Sequence, residues 1–314
     1  MKKIILFIFI ALFLTSCSDK RYSTQFFEYF DTVVSVDGYF ESEEEFLKTC
    51  DIIEKTLINC QNALDIHSKN GEGAILNSRK SLVVSDTLLD VIQFGIKAEE
   101  ATLGNCNIAM GAILEEWHKA REEEIPPNPD ILQKKAMHTN IDDIKIEGNT
   151  VTLLDSEMSL DYGAIAKGYA ADLLRNRLKG CNMLINLGGN VLVLGDKDGQ
   201  GWKVGVQDPE NEGAVTKILT LKDTSLVTSG VYQRYFEFED KKYHHIISPD
   251  TLYPSDKYLS VTVLYESSAW ADALSTALFN MTVEEGKKLL KDFDGIGVMW
   301  IENDGNIEYY GNIE

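Results

Sequence analysis

The spacing of apolar residues along the chain predicts amphipathic helices of ordinary length. Ser42 and Glu45 form a capping-box pair, and apolar side chains then recur at steps of three and four through residues 46–64. That pattern predicts a helix with one buried face. Further helices are predicted from Ser85 or Asp86 to about Thr102, and over residues 269–279 behind Ser267 or Ser268.

Short apolar runs bounded by turn residues predict strands, and they outnumber the helices. They do not alternate strictly with helices, which favours an α+β fold over a doubly wound sheet. No internal repeat is visible. The predicted strands cover residues 27–39, two short runs within 141–154 around Gly148-Asn149, 183–187, 191–194, 202–206, 215–221, 225–228, 232–238, 243–247, 260–265 and a hairpin within 297–308.

The first residues carry an export signal. Lys2 and Lys3 precede an uncharged run over residues 4–14, which is too short to span a bilayer as a stable helix. The sequence Leu-Thr-Ser-Cys at 14–17 resembles the lipobox of bacterial lipoproteins, in which Cys17 is lipidated. This predicts a signal peptide at 1–16, a lipidated Cys17 with a tether at 17–26, and a folded domain at 27–314. The alternative is an ordinary secretory signal in which Cys17 has no role.

The predicted location is therefore exported and lipid-anchored to the bacterial cell membrane, on either the periplasmic or the extracellular face. The formal net charge of −20 disfavours nucleic acid and anionic lipid as partners. An anionic small ligand would need local cations or a divalent ion. Four further cysteines show no zinc-like spacing, and we interpret them as buried thiols: Cys50, Cys60, Cys106 and Cys181.

The segment DYGAIAKGYAADLL at 161–174 has chemistry that suits a phosphate or pyrophosphate. A helix that begins at about Ala164 presents free N–H groups and its positive dipole end, and Lys167 adds a full charge. Gly163 and Gly168 allow a close backbone approach. The alternative is a packed helix that happens to begin with small residues.

Two other segments carry candidate catalytic groups. Asp272 and Thr276 lie four residues apart on a predicted helix, which places two hard oxygen donors suited to Mg²⁺ on one face. The alternative is a helix-start carboxylate and a core threonine. His244 and His245 are adjacent in a predicted strand and therefore point to opposite faces. We expect one to face a site as a general base and the other to be solvated. The alternative is a structural histidine whose ring nitrogens are satisfied within the protein.

Taken together in their order, these motifs resemble the ApbE family, the FAD:protein FMN transferases. The resemblance covers nearly all of the chain after the signal. The matching motifs are DTVV at 31–34, GEGAILN at 71–77, DYGAIAKGYAADLL at 161–174, LINLGGN at 184–190, WKVGVQDP at 202–209, VTSGVYQR at 227–234, HHIISP at 244–249 and ADALSTALF at 271–279.

The resemblance implies one ApbE-like domain with a mixed, largely antiparallel sheet and flanking helices. It implies Mg²⁺ held by Asp272, Thr276 and the backbone oxygen of Ala164, with His245 as the base and Asp272 catalytic. FMN would pass from FAD to a Thr or Ser hydroxyl of a target protein, with release of AMP. The implied FAD contacts are Asp161, Lys167, Ile246 and the loop Asn105, Cys106 and Asn107.

The chain also departs from the family pattern. Phe30-Asp31-Thr32 stands where relatives often have Met-Gly-Thr, and residues 106–111 replace Phe-Asp-Pro-Thr-x-Gly. His67 aligns with a position that is often aromatic and would stack on the flavin. These departures leave open an FAD pyrophosphatase that gives FMN and AMP, or a non-catalytic FAD-binding lipoprotein. The implied acceptors are exported or membrane-bound flavin proteins of electron transport.

Overall fold

Our computed structural model describes residues 20–196, 199–232 and 234–313. The predicted signal peptide and Cys17 lie outside these residues. Within them, no helix is both long enough and apolar enough to cross a membrane.

The main sheet has eight strands in the order β1-β2-β6-β7-β10-β13-β14-β15, and each neighbouring pair is antiparallel. Three small antiparallel sheets, β3-β5-β4, β8-β9 and β11-β12, accompany it. The strands are β1 Lys20–Tyr29, β2 Thr32–Phe40, β3 Ser81–Val83, β4 Ile144–Glu147, β5 Thr150–Leu153, β6 Asn182–Leu187, β7 Asn190–Leu194, β8 Trp202–Gln207, β9 Val215–Leu221, β10 Thr224–Gly230, β11 Tyr235–Phe238, β12 Lys241–His244, β13 Tyr258–Tyr265, β14 Gly297–Glu302 and β15 Ile307–Gly311.

The helices are α1 Glu43–Leu64, α2 Glu72–Arg79, α3 Asp86–Ala101, α4 Gly111–Glu123, α5 Pro129–Lys135, α6 Ala166–Arg177, α7 Ser268–Asn280 and α8 Val283–Leu289. Of these, α1, α6 and α7 contact strands of the main sheet, whereas α4 and α5 pack with the β11-β12 ribbon. The strand alternation divides the core: Val298 and Trp300 of β14 pack with α7, whereas Met299 and Ile301 pack with the β8-β9 ribbon on the other face. The α+β prediction is confirmed.

The predicted helix starts are confirmed by their caps. The side chains of Ser42, Ser85 and Ser267 accept from backbone N–H groups three residues later, each at 3.3 Å. The reciprocal half of the first capping box differs from the prediction, because the Glu45 carboxylate accepts from the N–H of Glu41.

Residues 20–26 are not a tether. They belong to β1, whose residue Lys20 pairs with Phe40 and whose Tyr22 ring stacks on Phe46 of α1 at 5.3 Å. The predicted single strand at 27–39 is therefore two strands. A turn at Phe30-Asp31 separates them, and both residues have a φ of +52°. The predicted tether at 17–26 is therefore wrong over residues 20–26, which belong to the folded domain.

Helices extend into two segments whose glycine, proline and polar residues favour loops. Gly71 is the N-cap of α2, and the acidic, proline-containing segment 122–130 overlaps the end of α4 and the start of α5. All four described cysteines are free thiols. Cys60 and Cys106 are buried as predicted, while Cys50 and Cys181 are only half-buried.

Candidate active site

A cavity of about 600 Å³ lies at one end of the strands of the main sheet. Its walls come from the turn between β1 and β2, the turn between β6 and β7, the end of β10, and the start of α6 with the facing side of α7. Nearly all the predicted site residues line it: Asn105, Cys106, Asn107, Asp161, Ala164, Lys167, His245, Ile246, Asp272 and Thr276.

The turn between β6 and β7 requires glycine. Gly188 and Gly189 have φ values of +62° and +93°, the left-handed conformation that a two-residue hairpin turn needs. A Cβ on Gly188 would also lie 2.2 Å from the hydroxyl oxygen of Thr32. The sequence LINLGGN therefore brings bare backbone up to the cavity wall.

Gly168 brings α6 and α7 close together at the site. A Cβ at this position would lie 2.4 Å from the carbonyl oxygen of Ser268 and 2.7 Å from the Cβ of Asp272. Its N–H donates to Asp272 Oδ2 at 2.8 Å. The helix itself begins at Ala166, two residues later than predicted. One of the free N–H groups at this helix start therefore holds a carboxylate of the protein.

Asp272 is a buried carboxylate with 5% of its surface exposed. Burial raises its pKa, and the nearby Lys167 ammonium, the Gly168 N–H and the Asn190 side chain oppose that rise. A negative charge held here at neutral pH would gain from a cation in the cavity.

Thr276 lies one helical turn beyond Asp272 and also lines the cavity. In the part of the chain that the structure describes, its hydroxyl has no hydrogen-bond partner. Ala164 also lines the cavity and precedes the first turn of α6. A carboxylate, a free hydroxyl and a backbone carbonyl are hard oxygen donors, so these residues fit Mg²⁺.

The two adjacent histidines have different environments. His244 is buried; its Nε2–H donates to the carbonyl oxygen of Ser255 at 2.7 Å, and its Nδ1 accepts from Ile246 N–H at 3.2 Å. Burial lowers its pKa. The expectation of one solvated histidine is wrong, because both ring nitrogens of His244 are hydrogen-bonded inside the protein.

His245 is the histidine that faces the cavity. It is an exposed residue that lines the cavity. The protein packed around it displaces part of its water, and this desolvation, followed by the charges of Lys167, His244 and Arg234, lowers its pKa. The ring is therefore neutral and can accept a proton.

Asp161 organises the turn that leads into α6. Its Oδ1 accepts from Gly163 N–H at 2.8 Å, and its own N–H donates to the carbonyl oxygen of Ile108 at the same distance. Through these bonds it ties the phosphate-type segment to the neighbouring loop at 105–107.

The loop at 105–107 is braced by the residue that departs from the family pattern. Asn107 Oδ1 accepts from Ala109 N–H at 2.7 Å, and Nδ2 donates to the carbonyl oxygen of Thr139 at 3.0 Å. A carboxylate could not make the second bond. Cys106 is buried, and burial raises the pKa of its thiol to about 12, so it is a packing residue rather than a nucleophile.

Sequence reasoning missed the contribution of α4. Leu114, His118 and Arg121 follow Met110 at steps of four, four and three, and all four line the cavity. Arg121 has no ion pair among the described residues; burial and then Arg234 lower its pKa. The sequence signal for this helix face was the spacing of these four residues, but the acidic and proline-containing residues that follow favour a loop instead.

His67 lies beside the main cavity rather than in its wall. It lines an adjoining space of about 250 Å³ that shares Asp161, Lys167 and Arg234 with the main cavity. Its ring is 5.0 Å from that of His118. The predicted stacking position is thus occupied by a pair of imidazoles at the junction of the two spaces.

The turn at Phe30-Asp31 closes one side of the cavity. Arg234 donates to the carbonyl oxygens of Phe30 and Asp31 at 3.4 and 3.2 Å, and the Gln61 side chain accepts from Phe30 N–H at 3.2 Å. A phenylalanine with positive φ is strained, and these bonds hold it.

Comparisons with known proteins agree with this arrangement. A FAD:protein FMN transferase from Treponema pallidum is 32% identical over 247 residues, which are 72% of this chain and 68% of that protein. Another from Klebsiella pneumoniae is 35% identical over 237 residues, covering 73% of each chain. The crystal structure of the ApbE protein from Thermotoga maritima has a TM-score of 0.82 at 26% identity, covering 92% of this chain and 96% of that one.

Two sequence profiles also match this chain. The profile of the prokaryotic membrane lipoprotein lipid attachment site matches residues 1–18. The profile of the ApbE family matches residues 30–300, which include every element that forms the cavity. With this match and relatives above 30% identity over more than two thirds of its length, the chain belongs to the ApbE family.

Proposed function

We propose that this chain is an Mg²⁺-dependent FAD:protein FMN transferase that joins FMN to a Thr or Ser hydroxyl of an exported acceptor protein. The observation that carries the proposal is the convergence of Asp272, Thr276, Lys167 and His245 on one cavity. These groups supply the needs of phosphoryl transfer: a cation site, a positive charge and a base.

Asp272, Thr276 and the backbone oxygen of Ala164 are the groups that would hold Mg²⁺. When bound, the ion would neutralise charge on the pyrophosphate of FAD. The chain's contribution is to keep the Asp272 carboxylate ionised and oriented, through the Gly168 N–H at 2.8 Å and the charge of Lys167.

His245 would take the proton of the acceptor hydroxyl. The hydroxyl oxygen then forms a bond to the FMN phosphorus, and the bond from that phosphorus to the bridging oxygen breaks. AMP leaves with the bonding electron pair. Lys167 and the start of α6 would stabilise the negative charge that develops on the phosphate oxygens.

The remaining cavity residues suit a large anionic substrate. Lys167, Arg121 and Arg234 all line the cavity of a chain whose formal net charge is −20. We assign FAD contacts to Asp161, Lys167, Ile246 and the loop Asn105 to Asn107, and a stacking contact to His67. The glycine turn at 188–189 leaves room for the flavin or the acceptor backbone.

The same proposal includes the location of the enzyme. The match to a lipid attachment site supports a signal peptide at 1–16 and lipidation of Cys17. The enzyme would then meet exported or membrane-bound acceptors of electron transport after leaving the cytoplasm. A chain anchored in this way has no need of a membrane-spanning helix.

The test incubates the chain from Ser18 onward with FAD, with and without Mg²⁺, and with exported flavin-protein domains as acceptors. Release of AMP and covalent fluorescence of the acceptor on a denaturing gel are measured together. His245→Gln removes the base while keeping a polar side chain, and His244→Gln is the matched control from the adjacent position.

We expect equal amounts of AMP and labelled acceptor, only with Mg²⁺, and loss of both in His245→Gln. The His244→Gln variant should keep activity in proportion to its folded fraction. AMP with free FMN and no labelled acceptor would instead indicate an FAD pyrophosphatase. FAD binding with no AMP would indicate a binding protein.

A further inference from the structure

The strands of the main sheet end on two opposite sides. The strand ends at the cavity, here called the pocket edge, contain the turns at 30–31 and 188–189 and the end of β10, all of which line the cavity. The opposite end, here called the anchor edge, contains Lys20 at the start of β1 and Phe40 at the end of β2, which pair with each other. It also contains the start of β6, where Asn182 pairs with Tyr39.

The lengths of two separate elements give the distance between these edges. Strand β1 crosses the sheet from Lys20 to Tyr29, and nine steps at about 3.4 Å span roughly 30 Å. Helix α1 begins at Glu43, just after Phe40, and its last turns place Gln61 and Leu64 on the adjoining cavity. Its 22 residues at about 1.5 Å each also span roughly 30 Å.

The lipid attachment site lies close to the anchor edge along the chain. Only Ser18 and Asp19 separate Cys17 from Lys20, the first residue of β1. Three residue steps reach at most about 11 Å, whatever their conformation. Because Lys20 is already paired with Phe40, an acyl chain on Cys17 holds this end of the sheet close to the bilayer surface.

The anchor edge carries charges of both signs: Lys20 and Lys179 are exposed there, and an acidic helix start lies beside them. Glu43, Glu44 and Glu45 form the first turn of α1, and all three are exposed beside Phe40. Acidic side chains are repelled by anionic lipid headgroups. This helix start therefore offers no electrostatic attraction that would lay the domain flat on the membrane.

We infer that the lipid anchor fixes the anchor edge at the bilayer surface and holds the cavity mouth about 30 Å away from it, facing the aqueous compartment. Apart from the lipid itself, the anchor edge is then the part of the domain that lies at the membrane. A consequence, which rests on the proposed transferase, concerns the acceptor. It must present its hydroxyl on a water-exposed domain at that height, and not on a loop at the headgroup surface.

The test measures height above the membrane by energy transfer. Azidophenylalanine replaces either Lys179 or Lys69, and each carries the same donor fluorophore. Both lysines are exposed and lie in loops: Lys179 precedes β6 at the anchor edge, and Lys69 follows α1 at the pocket edge. The lipidated full-length protein is placed in vesicles whose headgroups carry the acceptor dye.

We expect several-fold stronger energy transfer from position 179 than from position 69. Insertion of about 30 Gly/Ser residues between Asp19 and Lys20 should remove most of that difference, since the domain can then reorient. The chain that begins at Ser18, without lipid, should show no transfer from either position.

Equal transfer from the two positions in the lipidated protein would overturn the inference, as would stronger transfer from position 69. Transfer from the unlipidated chain would overturn it too, because the domain would then bind the membrane through another surface. The measurement uses neither FAD nor an acceptor, so failure of the proposed transferase would not affect it.

Discussion

The buried carboxylate of Asp272 leads to a prediction in which activity and stability change in opposite directions. Asp272→Asn keeps the shape of the side chain, and its amide oxygen can still accept the 2.8 Å bond from Gly168 N–H. The variant loses the negative charge that would bind Mg²⁺. It also loses the cost of keeping that charge in a site only 5% exposed.

The effect on activity follows from the role of the metal. An ion that neutralises transition-state charge contributes several kcal/mol, and each 1.4 kcal/mol is about tenfold in rate. We therefore expect about a thousandfold loss of AMP release at saturating FAD. The stability change has the other sign: without metal, we expect the free energy of unfolding to rise by about 1 kcal/mol, because burial disfavours the charged carboxylate.

Asp172 provides a matched control on α6. Its carboxylate accepts from the Ser267 hydroxyl at 2.7 Å, the Ser268 N–H at 2.8 Å and the Ala269 N–H at 3.0 Å, at the N-terminus of α7. Asp172→Asn removes a charge that the helix end favours, and it replaces one acceptor oxygen with a donor. We expect a loss of about 2 kcal/mol, or roughly 4–8 °C in melting temperature.

The assay is thermal unfolding in EDTA, followed by AMP release with excess Mg²⁺ at a temperature where both variants are folded. A fall in melting temperature for Asp272→Asn equal to that of Asp172→Asn would refute the electrostatic account of Asp272. Activity within tenfold of the wild type would refute its assignment to the metal.

Three further predictions concern the supports of the site. Gly168→Ala places a methyl group 2.4 Å from the Ser268 carbonyl oxygen. We therefore expect the free energy of unfolding, measured by thermal unfolding, to fall by at least about 1–3 kcal/mol, with a parallel loss of AMP release. Burial lowers the pKa of His244 below 6.5, so the unfolded state binds more protons than the folded state as the pH falls through 6.5. This residue should then remove up to about 1.4 kcal/mol of stability per pH unit, and His244→Gln should reduce the slope in denaturant titrations by that share, while His118 and His245, whose pKa values are also lowered, keep theirs. Arg234→Ala removes two bonds to the turn that contains Asp31 but is partly exposed, so unfolding should cost about 0.5–1 kcal/mol less while the KM for FAD rises severalfold; an unchanged KM would contradict its role in holding that turn.

The sequence predicted the chemistry of α7 because helical spacing determines which residues share a face. Asp272 and Thr276 are four residues apart, so a helix capped by Ser267 places both side chains on one face. The same reasoning could not decide which of two adjacent histidines faces the cavity. That choice depends on the backbone carbonyl of Ser255, which lies in the loop that follows β12 and accepts from His244.

The elements that sequence reasoning missed have weak local signals. Strand β1 lies at the edge of the sheet, and alternate residues such as Ser23 and Gln25 are exposed, so its pattern resembles that of a polar tether. Helix α4 ends in charged residues that merge with a proline-containing loop. Its cavity-lining residue Arg121 becomes meaningful only when the fold brings Arg234 beside it.

The most direct test of the central claim is the intact mass of an exported acceptor domain after incubation with this chain, FAD and Mg²⁺, with fragmentation to locate the change. The account predicts a mass increase equal to FMN joined with loss of water, on one Ser or Thr, matched mole for mole by AMP. An acceptor of unchanged mass alongside released AMP and free FMN would contradict it.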